Sequence, residues 1–559
     1  MRLTVLFLAL CFLVAPAAAP APQSTSQIQA EWIAKIVAQE RAEIALLPKY
    51  SPLVETYIQT RRANPEEGMV PAGDRYFLGR ALLDKGVVLE PFAHGTKAKH
   101  NRVLASLDGL FSMKFLPRGF LQMIYIDANG FDQTHYNFRY IHREFLGEVR
   151  CLVFDVSPRV KGQKGRFVGR IWVEDQNFHI VRFNGTFLGS SLTGYYFSFD
   201  SWRQNAVGDQ WLPSFVFSEE GSTAYPVWKK QITPPFRAQT RFWGYFTGQA
   251  QQEAELGTLV VETPVKDESE NTNGYSPVQA QRLWTRQAED NVVATLERIG
   301  LMAPHGEVDK VLETVINNLE VTNQLDLQPD VRCRVLMTSS FEAFAIGRTI
   351  VVSRGLIDVL PDEASLAAIL SHELAHVVLG QGMDTQFAFF DRLQFDETRT
   401  FHHFDFQHSP QQELAANRKG SALFLKSPYA AQVESAQVFL RALKERARDL
   451  PNLISPHLGD AVPINWALAS GSPEGSVTTT DSAASAATTS TKPALVALPL
   501  GGRIVIEPFE DRLRLLKSKP AGLVTQGEKM PFEVTPATIY LTRQSIQATQ
   551  AESTASPTP

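Results

Sequence analysis

Between Pro361 and Gly382 the chain reads PDEASLAAILSHELAHVVLGQG. Pro361, Asp362 and Glu363 place a proline and acidic residues at a helix start, and Gly380-Gln381-Gly382 supplies the stop. Between them Leu366, Ile369, Leu370, Leu374 and Val377 spread apolar bulk over a broad surface, which predicts a buried core helix. His372 and His376 are four residues apart, so both imidazoles lie on one face a turn apart and can reach one ion. Burying two histidines and a glutamate in an apolar helix is costly unless something compensates them. A zinc ion accounts for all three, with neutral imidazoles from His372 and His376 as ligands and Glu373 as the base that takes a proton from water.

Catalytic zinc takes three protein ligands and keeps a position open, so a third ligand is expected downstream. Ser409-Pro410-Gln411-Gln412 reads as a helix start with a capping serine, a proline in the first turn and a capping-box glutamine. Immediately inside it lie Glu413 and Asn417, on one face and flanked by small residues that permit close approach to the first helix. Glu413 ranks first as third ligand. His402, His403 and His408 remain alternatives on sequence distance alone, though a loop histidine more often lies at the surface. Asn417 ranks ahead of Asp405 as the residue that orients a ligand histidine.

Four separated motifs occur in order: Phe341 to Gly347 (FEAFAIG), Ile350 to Leu356 (IVVSRGL), His372 to His376, and Glu413 to Asn417. Together they resemble the HtpX-like and CAAX-prenyl-protease metallopeptidases, over about residues 275–465. The resemblance implies that Glu413 is the third zinc ligand and that Ala343, Phe344 and Ala345 lie on the strand lining the substrate cleft. Glu342 stands where that family has Asn, and Asn417 where it has Asp. The absence of membrane helices makes the chain more similar to the soluble periplasmic, BepA-like branch. His457, in Ser455-Pro456-His457, falls near a His-Pro segment of the family, where it would either stabilise an oxyanion or serve as a structural histidine.

The rest of the chain divides by texture. Of its 559 residues 44% are hydrophobic and 20% charged, and 54 Lys plus Arg against 59 Asp plus Glu leave a net charge of -5, so no basic surplus suggests a nucleic-acid partner. Met1-Arg2, the apolar run Leu3 to Val14 and Ala15-Pro16-Ala17 read as a secretory signal, shorter than a membrane span of roughly 20 residues. Cys151 and Cys333 have no CxxC partner, and two unpaired buried thiols are the simpler reading.

The expected divisions are a signal peptide at 1–22, a helical segment at 23–94 and an antiparallel β domain at 95–265. A metallopeptidase domain at 275–468 follows, then a Ser/Thr/Ala-rich linker at 469–493, a folded segment at 494–545 and a disordered tail at 546–559. Strands are expected at Leu121 to Ile126, Val149 to Val156, Phe167 to Val173, Phe178 to Phe183, Tyr195 to Phe199 and Phe215 to Phe217, with Lys161 to Gly165 and Asn184-Gly185 as turns. The runs from Tyr136 to Phe187 are similar to the half-barrel of lipoprotein carriers of the LolA and RseB type. That likeness implies a surface for an acyl chain or lipoprotein. An ordinary antiparallel domain that positions substrate or only packs is the alternative.

The fold class expected is thus α+β, a mainly helical zincin of gluzincin type preceded by an antiparallel β domain. The function expected is an exported, periplasmic or envelope-associated zinc metalloendopeptidase, one Zn2+ per chain, working in envelope protein quality control. Its partners would be protein or peptide substrates, with envelope lipoproteins and membrane association as further options and nucleic acid excluded. The rival is a non-catalytic lipoprotein-binding or chaperone factor with a retained zinc site.

Overall fold

The computed structural model describes residues 25–91 except 66–67 and 84–87, 120–188 except 129, 161–162 and 164, and 198–245 except 207–209, 221–222, 225–230 and 234. It further describes 276–382 except 328–329, then 388, 404, 406–466, 468, 504–507, 512–515 and 532–543. The signal segment, the linker, the tail, His402, His403 and Asp405 lie outside the described residues.

The architecture is α+β. Helix α1 (Thr25–Leu46) carries the predicted helical spacing, which ends at Pro48. The expectation of helix through residue 94 is corrected here. Val54, Thr56, Tyr57, Ile58 and Thr60 alternate between faces as β-branched and aromatic residues do in strands, and Leu53–Asn64 is β1. It pairs along its length with β2 (Gly68–Leu82), which also pairs with β3 (Val88–Pro91).

These join β4 (Tyr136–Leu146), β5 (Val149–Pro158), β6 (Phe167–Glu174), β7 (Ile180–Phe187), β8 (Ser198–Asn205), β9 (Trp211–Glu220) and β12 (Phe236–Trp243). The short pair β10 (Thr223–Ala224) and β11 (Gln231–Thr233) stands apart. The result is a 10-stranded antiparallel sheet in the order β3-β2-β1-β12-β9-β8-β7-β6-β5-β4. Two local expectations fail. Leu121 to Ile126 forms a helical turn at Gln122–Ile124 rather than a strand, tucking Leu121, Ile124 and Ile126 into the core. Asn184-Gly185 lies inside β7 because Gly185 faces Gly169 of β6, and the Phe167 ring fills the room that two Cβ atoms would take.

Both faces of the sheet are covered. Along β5, Leu152, Phe154 and Val156 face α1, whereas Cys151 and Val153 face the C-terminal half. Of the three cysteines, Cys151 and Cys333 are buried and free, and Cys11 lies outside the described residues. Beneath α1, Arg203 of β8 bonds Glu40 and Glu43, and His179 reaches Glu43, so buried charges are paired where they sit.

The C-terminal half opens with α2 (Pro277–Arg298) and α3 (Glu307–Asn323). A four-stranded sheet follows, in the order β13-β15-β14-β16, from β13 (Arg332–Leu336), β14 (Glu342–Ile346), β15 (Thr349–Ser353) and β16 (Asp460–Ala461). Helix α4 (Arg354–Val359) leads to the central α5 (Glu363–Val378), against which α6 (Pro410–Leu425) and α7 (Val433–Arg446) pack. A short α8 (Pro451–Ile454) precedes β16.

The two halves are fastened by buried hydrogen bonds. Asp74 of β2 accepts from the Asn452 and Leu453 amides, and Trp243 Nε1 donates to the Gly300 carbonyl. Segment 532–543 crosses the large sheet: Gln59 exchanges bonds with Phe532 and Val534, and the Glu148 amide donates to Leu541. One hydrophobic cluster accordingly holds Trp202 and Trp211 of the sheet together with Leu356, Leu370 and Leu541. Among the described residues no helix is long and apolar enough to cross a membrane.

Candidate metal centre

Helix α5 begins where the Asp362 carboxylate caps the Ser365 amide at 2.8 Å and ends before Gly380, which takes φ +66. From Ala364 to His376 every side chain is buried, because α3, α6, α7 and the small sheet surround it. His372, Glu373 and His376 therefore sit in the interior. Helix α6 starts with a complete capping box at Ser409 and Gln412, which puts Glu413 in its first turn. Gly420 lets this helix approach: a Cβ there would stand 2.9 Å from the Ser371 carbonyl and 3.0 Å from His372 Cα.

The approach closes a triangle. His372 Nε2 and His376 Nε2 are 3.2 Å apart, Glu413 Oε2 is 3.3 Å from the first, and Glu413 Oε1 is 3.4 Å from the second. Ligand atoms about 2.0–2.1 Å from a tetrahedral zinc ion stand roughly 3.3–3.4 Å from one another. The donor set fits such an ion in spacing and in chemistry. His376 Nδ1 lies 2.7 Å from Gln381 Oε1, a contact that fixes Nδ1 as the donor and leaves the Nε2 lone pair toward the triangle.

Charge follows the same pattern. Burial would raise Glu413, but its contacts with His372 and His376 hold it down to about 2. His372 is lowered by burial, against the pull of Glu413. Glu373 is pushed well above the carboxylate range, by burial first and then by the charges of Asp460 and Glu413, and its Oε2 has no hydrogen-bond partner. A divalent cation reverses that effect on a neighbouring carboxylate.

Several neighbours complete the site. His408, a rival third ligand on sequence distance, stacks on His376 with ring centroids 3.9 Å apart. Its Nδ1 is 2.6 Å from Asp460 Oδ2 and its amide donates to Asp460 Oδ1 at 2.8 Å. His376, His408, Glu413 and Asp460 place ligand atoms within 4.8 Å of one another, so metal-binding groups converge from α5, α6, β16 and the segment before α6. His372 faces the Trp466 ring at 5.7 Å, and Trp466 Nε1 donates to the Asn417 carbonyl. Asn417 Oδ1 has no partner, and neither has His372 Nδ1, so that oxygen does not make the bond expected of it.

Ala343, Phe344 and Ala345 lie on β14, whose second edge is paired, among the described residues, only at Glu342 and Ala343. His457 is turned away into the interdomain seam, stacked on Tyr76 with Nε2 at 2.6 Å from the Asn452 carbonyl. The signal that could have found Gln381 was its place directly after the helix stop. His408 was one of three loop histidines expected near the metal, whereas its pairing with Asp460, 52 residues away, left no signal.

Residues 303–445 match peptidase family M48, a metallopeptidase family. That stretch contains His372, Glu373, His376 and Glu413, and it agrees with the ordered motifs of the sequence. Among solved structures, the complex of MucA and MucB from Pseudomonas aeruginosa is similar at 7% identity over 38% of this chain and 93% of that chain, with a TM-score of 0.14. No curated protein matches.

Proposed function

We propose that this protein is a zinc-dependent endopeptidase in which His372, His376 and Glu413 hold one zinc ion and Glu373 is the general base. The observation that carries the reading is the triangle of donor atoms at 3.2–3.4 Å beside a buried Glu373. When bound, the ion supplies polarisation of the scissile carbonyl and acidification of a water molecule. Glu373 takes the water proton on its carboxylate and returns it to the leaving amine nitrogen, one carboxylate serving as base and then as acid. Its buried site favours the neutral form between the two transfers. Among the described residues β14 has no strand partner on its second edge from Phe344 to Ile346, and an extended chain pairing there would find backbone donors and acceptors.

The N-terminal signal pattern supports export to the periplasm or cell envelope, and with it a role in clearing misfolded envelope proteins. An acyl chain or lipoprotein bound by the large sheet belongs to the same proposal. The test is hydrolysis of an unfolded protein by the zinc-loaded chain and by Glu373→Gln. The variant is expected to keep its zinc and lose about 10²–10⁴-fold in kcat. Equal cleavage by both proteins would sink the assignment of Glu373. Full biological activity of a cleavage-dead variant would favour a binding factor with a retained zinc site.

A further inference from the structure

A row of side chains runs across the large sheet toward the metal centre. Trp172, Arg182, Trp202, Phe215, Arg241 and Glu55 are successive cross-strand neighbours on one face, and the row ends on a buried carboxylate. Glu55 Oε1 accepts from the Ser339 amide at 2.5 Å and from Tyr76 at 2.8 Å, and Oε2 accepts from Ser339 Oγ at 2.7 Å. Arg241 and Arg354 donate to the same Ser339 hydroxyl, which places two cations beside the carboxylate. So the peptidase half meets the sheet at the residues that lead into β14.

The path continues without leaving the interior. Ser340 donates to Glu342 Oε1, and Glu342 Oε2 accepts from the Leu458 and Gly459 amides at 2.8 and 3.0 Å. Glu342 is fully buried, so those bonds fix where 458–459 can lie. Gly459 is needed there, because a Cβ would strike the Phe344 ring. The next residue is Asp460, in register with Ala343, and it holds His408 by both oxygens. His408 in turn lies flat on the metal ligand His376.

We infer that the N-terminal sheet is a positioning element of the peptidase site, with Glu55 and Glu342 as its positioning residues. Glu55 sets Ser339 and Ser340, these orient Glu342, and Glu342 aligns Asp460 and His408 against His376. Neither glutamate touches the metal ligands. The inference rests on the zinc-peptidase reading: its metal-binding arm needs the zinc site alone, and its kinetic arm needs cleavage as well.

The experiment uses the full chain carrying Glu55→Ala, Glu342→Ala, Glu342→Gln or Ser340→Ala. Zinc affinity is measured by competition with a chromophoric chelator, and kcat and KM on an unfolded-protein substrate. Residues that orient a metal ligand from outside its coordination sphere cost about 10–100-fold in metal affinity or activity when lost. Glu342→Ala is expected to show a loss of that size in zinc affinity and kcat with KM nearly unchanged, and Glu342→Gln, which can still accept both amides, to recover most of it. Ser340→Ala removes the hydroxyl that bonds Glu342 and Thr338 while leaving the Glu342 carboxylate in place, and is expected to move both readouts the same way to a smaller extent. If folded Glu55→Ala and Ser340→Ala keep wild-type zinc affinity and kcat, the inference is overturned. Wild-type protein that binds zinc but cleaves nothing would refute the peptidase reading, while the affinity series would still decide the positioning role.

Discussion

Glu373 and Glu413 are two carboxylates in one site, and their surroundings push them in opposite directions. Glu413 is held ionised by the histidines it faces, whereas burial and neighbouring negative charge favour the proton on Glu373. This has a consequence for the metal-free chain. A carboxylate whose folded value is depressed contributes stability above its ordinary value and loses it as pH falls toward the folded value. For Glu413 that window runs from 4.5 down to about 2. Metal-free wild-type protein is expected to lose unfolding temperature across this window more steeply than Glu413→Gln, measured by thermal denaturation in a chelating buffer. Parallel profiles would contradict the ion-pair account. His372, Glu373 and His376 were legible in the sequence because one helical turn fixes their spacing. Glu413 was legible because a capping box marked where its helix begins. Gln381 and Asp460 were not, and His408 was only one of three loop histidines, since loop geometry and long-range pairing bring these residues in. The Asn417 side chain shows the reverse case: its helical position was read correctly, but its Oδ1 makes no bond to a ligand histidine.

At the scale of elements the site depends on how closely α6 lies against α5. Gly420 is the contact point, and the backbone of Ser371 and His372 occupies the space a side chain would need. Gly420→Val is expected to destabilise the fold by about 1–3 kcal/mol, the usual cost of overpacking a filled interior. It is also expected to weaken zinc binding by moving Glu413 away from the histidines. Denaturant unfolding and zinc competition measure the two effects. Unchanged zinc affinity would show that the close approach is not what sets Glu413. Helices α5 and α6 could be read from periodicity and caps. Strands β1 and β2 could not, because they follow directly on a strong helix and carry several charged residues within a sheet-like alternation.

At the scale of the molecule, the sheet and the C-terminal half share a core, and segment 532–543 is part of the join. Phe532, Val534 and Leu541 are fully buried, each worth about 1.5–3 kcal/mol in burial. Phe532 meets Phe341, the residue just before β14, and the Arg543 guanidinium lies over the Trp211 ring. Ending the chain after residue 531 is expected to lower the unfolding midpoint and shift tryptophan emission to the red as the sheet face opens to water. Unchanged emission and midpoint would show that the segment is dispensable to the core. The sequence marked this stretch as folded but held no hint of where it packs, because its partners, Gln59, Glu174 and Phe341 among them, lie far away in the chain.

The central claim is that His372, His376 and Glu413 together hold zinc. Metal content of the purified wild-type chain and of Glu413→Ala, read by elemental mass spectrometry after identical dialysis, tests it most directly. The account predicts one zinc per wild-type chain and a large loss in the variant. Stoichiometric zinc in both proteins, or in neither, would contradict it.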